Sequence, residues 1–105
     1  MSDQPETILT NGQPVTEDHR EIQPDGMQKA YVVLTPEERA KGFVRPVRIS
    51  YVHNKCGVVT RMGRALAETY ASNPKFYDGT FCVGCRMHLP LDEFVWAGTN
   101  EMVGS

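Results

Sequence analysis

Two short motifs, His53-x2-Cys56 and Cys82-x2-Cys85, constrain this chain more than any other feature. In each motif two possible metal ligands stand three positions apart, so one tight turn can direct both side chains at the same ion. Zinc takes nitrogen and sulfur ligands in tetrahedral geometry, and its structural sites leave no open position. Together the motifs predict a structural zinc ion held by His53, Cys56, Cys82 and Cys85.

The fourth ligand position has a second candidate in His88. This histidine follows Cys85 by three positions, but its use would crowd three ligands into one turn. His53 and Cys56 instead complete a symmetric arrangement of two ligands from each turn, so we favour His53 and keep His88 as the alternative. A hydrogen bond to a ligand is the other role open to His88.

The cysteines also raise the possibility of a redox dithiol made by Cys82 and Cys85. A reactive thiolate is commonly stabilised at the start of a helix, but Pro90 leaves little room for one, and Cys56 would then have no role. The sequence contains no phosphate-binding loop or nucleophile elbow, and zinc with four protein ligands has no position for water. We expect no enzymatic activity and no small-molecule substrate.

The fold expected around these motifs is α+β, with short antiparallel strands and one longer helix between the ligand turns. Met62, Leu66 and Tyr70 recur at four-residue steps, which is typical of a helix packed on a sheet, and Asn73-Pro74 ends the pattern. This helix explains the separation of 25 residues between the motifs, since paired zinc motifs are usually about 15–20 residues apart. Strands are predicted at residues 31–34, 43–52, 58–59 and 93–96.

Alternation within the predicted strand at residues 43–52 places the ligand relative to the core. Successive side chains of a strand point to opposite faces, so Val47, Ile49, Tyr51 and His53 should share one face. The first ligand would then lie on the apolar side, and the metal would close one end of the core.

Residues 1–28 are predicted to form a flexible acidic arm. This stretch is rich in proline and polar residues, and it has too few apolar side chains to offset an ordering entropy of roughly 1–2 kcal/mol per residue. The zinc-binding domain would then span residues 29–105, a size at which a metal or disulfide is often needed to supplement the core.

Charge is strongly segregated along the chain. Residues 1–38 contain eight acids and two bases, whereas residues 39–67 contain seven bases and no acid. A basic block of this kind can contact phosphate groups or an acidic protein surface. The candidates for such contacts are Arg45, Arg48, Lys55, Arg61 and Arg64.

The cellular location of the protein can be predicted from its apolar stretches and its cysteines. No apolar stretch is long enough to cross a bilayer, and the first residues lack the pattern of a secretory signal. Three cysteines form no complete disulfide framework, and a reducing compartment would keep them available for a metal. We therefore expect a cytosolic protein without a membrane partner.

The two ligand turns, each leading into a short strand, resemble a zinc ribbon over residues 50–96. The sequence departs from that pattern by using His53 in place of a cysteine and by carrying a helix between the turns. The stretch of residues 85–94 is also similar to small zinc-binding proteins of bacteriophages, which implies a host cytoplasm or a virion as the setting. Zinc ribbons bind nucleic acids, polymerases and other proteins, so the fold does not select one partner.

Two functions from different classes fit this sequence. The first is a structural or interaction protein in which the zinc domain docks onto a larger protein assembly, such as a viral particle. The second is a nucleic-acid-binding module that uses the basic block of residues 39–67. We favour the first, because the net charge is −2 and the basic block lacks the interleaved aromatic residues that stack on bases.

Overall fold

The computed structural model describes residues 6–104 and shows an α+β fold with antiparallel strand pairs. The strands form three small sheets, with the orders β1-β2, β4-β3-β7 and β5-β6. The helices and strands are β1 (Thr7–Leu9), β2 (Val32–Leu34), α1 (Pro36–Arg39), β3 (Ser50–His53), β4 (Val59–Arg61), α2 (Arg64–Ser72), β5 (Gly79–Cys82), β6 (Met87–Pro90) and β7 (Phe94–Trp96). Short 3₁₀ turns lie at Glu17–Arg20 and Leu91–Glu93.

The three-stranded sheet positions the first ligand turn. Strand β3 lies in the centre, with β4 on one side and β7 on the other, so Tyr51 is opposite Trp96 and His53 is opposite Phe94. Tyr51 contacts the rings of Phe94 and Trp96 edge to face, at centroid distances of 5.4 and 6.2 Å. Such contacts stabilise a core beyond the burial of ring area. The first predicted ligand therefore stands at the end of the central strand of this sheet.

The core lies between this sheet, helix α2 and the β5-β6 hairpin. Its buried members come from β3, α2, β5, β7 and the C-terminal residues, and they are Tyr51, Tyr70, Cys82, Phe94, Trp96 and Val103. One predicted ligand, Cys82, is thus itself part of the apolar core.

Helix α2 occupies the gap between the ligand motifs, as the sequence predicts. It begins after Gly63 and ends at Ser72, with Asn73 as the terminal cap. Thr69 is fully buried: its hydroxyl donates to the carbonyl of Ala65 at 2.8 Å and accepts the Leu34 amide at 3.2 Å. This second bond joins the helix to strand β2.

The strand predicted at residues 43–52 is wrong over most of its length. Residues 43–49 form no strand, and β3 begins only at Ser50. The amides of Val44 and Arg45 both donate to the carbonyl of Ala71 at the end of α2, so the chain follows the helix instead of a neighbouring strand. The predicted alternation holds for Tyr51 and His53, which are buried, but Ile49 is exposed.

The N-terminal segment differs from the expected arm because part of it joins a sheet. Strand β1 pairs with β2, with Ile8 opposite Val33, and the side chain of Leu9 is buried. Strand β1 is ordered by main-chain hydrogen bonds to β2. The sparse apolar composition of residues 1–28 gave no indication of this pairing. The division at residue 28 stays a prediction, and residues 1–5 of the proposed arm lie outside the described residues.

None of the helices within residues 6–104 has the length and apolar character needed to cross a membrane.

Candidate metal centre

The structure brings the four predicted ligands together. The donor atoms of His53, Cys56, Cys82 and Cys85 all lie within 4.8 Å of one another. The Nδ1 atom of His53 is 3.2 Å from the sulfur of Cys56 and 3.6 Å from that of Cys85, and the sulfurs of Cys56 and Cys82 are 3.5 Å apart. Zinc–ligand bonds of about 2.0 and 2.3 Å in a tetrahedron separate neighbouring donors by about 3.5–3.8 Å. The four side chains can therefore hold a metal ion.

The two ligand turns have equivalent backbones. The amide of Gly57 donates to the carbonyl of His53, and the amide of Arg86 donates to that of Cys82, both at 2.7 Å. Gly57 and Arg86 both have positive φ, 74° and 55°. In each turn the first ligand is buried and the second is exposed. The predicted symmetry of two plus two ligands thus extends to the main chain.

Gly84 allows the two turns to approach each other. A Cβ at this position would lie 2.8 Å from the Cγ2 of Val58 and 3.3 Å from the sulfur of Cys56. The first distance is shorter than carbon atoms tolerate, so a side chain here would push the first turn away. Gly84, one of the two residues between the cysteines of the second motif, is therefore part of the site.

Glu93 orients the His53 ring. Its carboxylate oxygen is 2.8 Å from Nε2 of His53, while its backbone carbonyl accepts the amide of Asn54 at 2.8 Å. The hydrogen bond between the two side chains raises the pKa of His53 and lowers the pKa of Glu93. A proton held on Nε2 leaves the lone pair of Nδ1 facing the sulfurs, which is the arrangement a metal-binding histidine requires.

Glu93 is the residue of the site that the sequence analysis missed. It is the last residue before β7, and it reaches His53 only because β7 pairs with β3 in the register that sets Phe94 opposite His53. No spacing within the sequence reports a pairing between strands so far apart. Lys55 also approaches this carboxylate, with Nζ 3.5 Å from the second oxygen.

The sulfurs have unequal proton affinities. Burial raises the pKa of Cys82, but hydrogen bonds from the amides of Cys85 and Gly84 and from Cys56 outweigh it and hold the pKa below its ordinary value. Loss of solvent at the sulfur and the neighbouring thiols raise the pKa of Cys85 to about 11. Three thiolates this close repel one another, so full ionisation requires a cation among them.

His88 lies away from the cluster. Its Nε2 is 2.8 Å from the hydroxyl of Tyr31, and its ring packs 5.4 Å from that of Phe81. Burial lowers the pKa of His88, so the ring is neutral near pH 7. His88, the alternative fourth ligand, instead links strand β6 to Tyr31, the residue before β2.

The basic block is largely paired with acids from outside it. Among the five predicted contact residues, Arg48 binds Glu101 at 2.7 Å and Arg64 binds Glu68 at 2.9 Å. The guanidinium of Arg48 also lies 4.8 Å from the centre of the Trp96 ring. Further ion pairs of the block are Lys55–Glu93, Arg39–Glu68 and Lys41–Glu38. The fold thus brings acids from outside the block next to several of its bases and partly neutralises them.

Arg45 and Arg61 are the other two predicted contact residues, and both are exposed. Arg45 lies in the exposed segment before β3, and Arg61 lies at the end of β4. Within residues 6–104, Arg61 forms no ion pair, and the strand alternates so that Thr60 is buried and Arg61 is exposed.

No protein-family model matches the chain, and no curated protein or solved structure is significantly similar to it. The likeness to zinc ribbons and to small bacteriophage proteins therefore stays a prediction from the motifs. The class that the fold and site define is a small α+β protein with a cluster of one histidine and three cysteines able to hold a metal ion.

Proposed function

We propose that the cluster of one histidine and three cysteines holds a structural zinc ion and that the protein is a non-enzymatic docking component of a larger protein assembly. The observation that carries this proposal is the convergence of four protein donors within 4.8 Å. Three thiolates and one imidazole suit zinc, and four protein ligands fill a tetrahedral shell. When bound, the ion would tie two hairpins together and leave no position for substrate.

The stability argument supports a structural role. The chain has 105 residues, and a small core in a domain of this size gains from an added constraint. Cys82 and His53 are 0% and 3% exposed, so the cluster reaches into the core.

The surface that best suits a protein partner is the segment of residues 43–49, here called the docking segment. Phe43 is 46% exposed, Val44 65% and Ile49 38%. The segment is fixed at two points, because Ala71 accepts two of its amides and Arg48 is held by Glu101. Apolar side chains on a fixed, exposed segment are what a protein interface requires.

The ion pairs of the basic block support protein docking over nucleic-acid binding. A phosphate contact would have to displace the acid that each paired base already binds. Nucleic-acid affinity that falls steeply with added salt would favour the alternative, and no binding at low salt would remove it. The viral setting suggested by the sequence stays a prediction.

Metal analysis tests the zinc half of the proposal. We expect one zinc ion per chain after purification without added metal, and loss of folded structure when a strong chelator removes it, because zinc binding contributes roughly 10–16 kcal/mol in small structural sites. Circular dichroism and amide exchange would follow the unfolding. A metal-free protein that keeps its full fold would contradict the structural role.

Partner recovery tests the docking half. A tagged chain purified from its native cells should retain a partner of defined stoichiometry, and the double variant Phe43→Ser/Val44→Ser should lose it while keeping zinc. Val59→Ser is the matched control, because Val59 is also exposed but lies on β4. Equal loss in the control, or a chain that purifies alone with zinc bound, would contradict docking through this segment.

A further inference from the structure

Strand β4 is an open edge of the three-stranded sheet. Within residues 6–104 it pairs with β3 alone, whereas β7 at the opposite edge is followed by a further antiparallel bridge from Val95 to Met102. The amide of Trp96 also donates to the carbonyl of Glu101 beyond that edge. An edge strand with unpaired main-chain groups is a template for pairing with another strand. Strand β4 is therefore the side of this sheet at which a further strand can add.

The ladder between β3 and β4 determines which main-chain groups face the open edge. Hydrogen-bonded residue pairs lie at both ends of the ladder, and they are His53–Val58 and Ile49–Met62. In an antiparallel ladder every second pair is hydrogen-bonded, so Tyr51 and Thr60, which lie between these pairs, also bond to each other. The main-chain groups of Val59 and Arg61 therefore point the other way, toward the open edge.

The rest of the described chain leaves this edge accessible. Val59 and Arg61 are both exposed, and only Thr60 between them is buried. Among the hydrogen bonds of residues 6–104, the only one that reaches β4 from outside the sheet joins the Val83 amide to the hydroxyl of Thr60, on the core face. Just before the strand, a Cβ on Gly57 would meet nothing within 4 Å. Another strand therefore has room to lie beside β4.

A row of apolar side chains crosses the sheet and ends at this edge. The strand registers set its members opposite one another in the order Val59, Val52, Val95 and Met102. These side chains lie on the face away from the core, because the alternate residues Tyr51 and Trp96 are buried. Val59, the member at the open edge, is 50% exposed. An added strand would extend the row if it placed an apolar side chain opposite Val59.

We propose that two copies of this chain pair through β4, antiparallel about a two-fold axis, with Val59 of one protomer opposite Val59 of its partner. A two-fold axis gives both protomers the same contacts, and three registers match the outward groups of Val59 and Arg61. Opposing two copies of Arg61 would set like charges against each other, which is destabilising. Opposing Val59 with Arg61 would interrupt the apolar row, whereas opposing Val59 with Val59 continues it across six strands.

This register also satisfies the main chain at the axis. The amide of Val59 in each protomer would donate to the carbonyl of Val59 in its partner, as in any hydrogen-bonded pair of an antiparallel ladder. Arg61 would stand opposite Gly57, where space is open. Because the pairing uses neither the docking segment nor a metal ligand, it is independent of both halves of the proposed function. An interface of two short strands is small, so we expect dissociation in the micromolar range.

The test uses the full, zinc-loaded chain from micromolar to millimolar concentration. Sedimentation equilibrium should show a reversible change from one chain to two. Over the same range, hydrogen exchange of the Val59 amide should slow by about tenfold, because this amide gains a partner only in the dimer. The amide of Thr60 already bonds within the sheet and should change little. In a mixture of labelled and unlabelled chains, methyl contacts between Val59 of one protomer and Val59 of its partner would establish the register.

Two variants of Val59 break the pairing in different ways. Val59→Lys should weaken the dimer by at least about tenfold, because two like charges would meet at the axis. Val59→Pro should leave a monomer with zinc bound, since it removes an amide that points away from β3 and proline is tolerated on an edge strand. Val15→Lys is the matched control, because Val15 is also exposed but lies outside the strands. It should leave the dimer unchanged.

Arg61→Gln distinguishes the registers. With Arg61 opposite Gly57, loss of its charge should change the dissociation constant by about twofold or less, whereas a register that opposes two arginines should be tightened. A tighter dimer in this variant, a chain that stays monomeric at millimolar concentration, or equal weakening by Val59→Lys and Val15→Lys would each overturn the proposal. Protection of the Val59 amide only when a different protein is bound would assign the edge to that protein and would overturn it too.

Discussion

The two ligand turns share one backbone geometry but are supported from different sides of the molecule. The first turn rests on the core sheet: Glu93 accepts the amide of Asn54 with its carbonyl and binds His53 with its carboxylate. The second turn has no carboxylate partner of this kind among the contacts of residues 6–104. Equivalent ligand geometry therefore does not imply equivalent support.

The second turn is supported by residues 26–31 and by Thr60 of strand β4 instead. A Cβ on Gly26 would overlap the carbonyl oxygen of Arg86, and Tyr31 of the same segment binds His88 just beyond that turn. The amide of Val83 inside the turn donates to the hydroxyl of Thr60 at 3.0 Å. The contrast teaches that residues distant in sequence, including part of the expected arm, hold the second pair of ligands in place.

The largest effect should come from replacing a buried ligand. Cys82→Ser should abolish stable zinc binding and folding at ordinary temperature, because a hydroxyl at a fully buried position binds zinc poorly and remains unsatisfied. Cys56→Ser should retain weaker zinc binding, since water can reach that exposed position. Zinc stoichiometry and chelator competition measure both. Equal losses of zinc affinity in the two variants would show that burial of the first ligand in each turn does not strengthen zinc binding.

The support of the second turn can be tested at Gly26, whose φ is 90°. Gly26→Ala should destabilise the zinc-loaded protein by about 2–5 kcal/mol, the sum of about 1–2 for a left-handed alanine and about 1–3 for steric overlap. Gly12→Ala is the matched control, with φ of 85° and no atom within 4 Å of the added Cβ. It should show only the backbone cost in chemical denaturation.

Amide exchange would show where that perturbation acts. In Gly26→Ala, protection should fall over residues 82–88 and stay unchanged over residues 51–57, because the overlap at this glycine is with the second turn. A uniform loss of protection, or equal destabilisation by both alanine variants, would mean that the N-terminal segment does not support the second turn.

The clustering of His53, Cys56, Cys82 and Cys85, the α+β class and helix α2 could be predicted because each is encoded locally. A three-position spacing reports a turn, and a four-residue apolar repeat reports a helix, whatever the rest of the chain does. Glu93 could not be predicted, since its meeting with His53 depends on the pairing of β3 with β7. Sequence spacing carries no record of that pairing.

The errors have a related origin. The apolar residues of 43–49 satisfy the pattern of a strand, but two amides of this segment bond to the end of α2, a competition that local propensity does not register. Strand β1 escapes prediction for the opposite reason. Its three residues are too few to stand out, and pairing with β2 gives them their structure.

The support of the first turn can be tested at Glu93. Glu93→Gln keeps the size of the side chain but removes the charge that holds the proton on Nε2 of His53, so zinc affinity should fall by about 10–100-fold. Asp92→Asn is the control, because Asp92 is the exposed neighbour of Glu93. This change should have little effect on zinc affinity. Competition with a chromophoric chelator measures both variants. Unchanged affinity in Glu93→Gln would remove the distinction between the two turns.

The smallest effects should come from the equivalent positions of the two turns, Gly57 and Arg86. Gly57→Ala should cost about 1 kcal/mol, because alanine is strained at a φ of 74° although its Cβ would meet nothing within 4 Å. Arg86→Gly should relieve the same kind of strain, but glycine also gains entropy in the unfolded chain, worth about 0.5–1 kcal/mol.

The two changes should therefore have opposite signs and similar sizes, because the entropy of the unfolded chain offsets part of the backbone strain in both. Parallel denaturant titrations with saturating zinc measure the difference. Destabilisation by Arg86→Gly would show that the arginine side chain contributes more than its backbone strain costs, and the equivalence of the two turns would then be limited to their geometry.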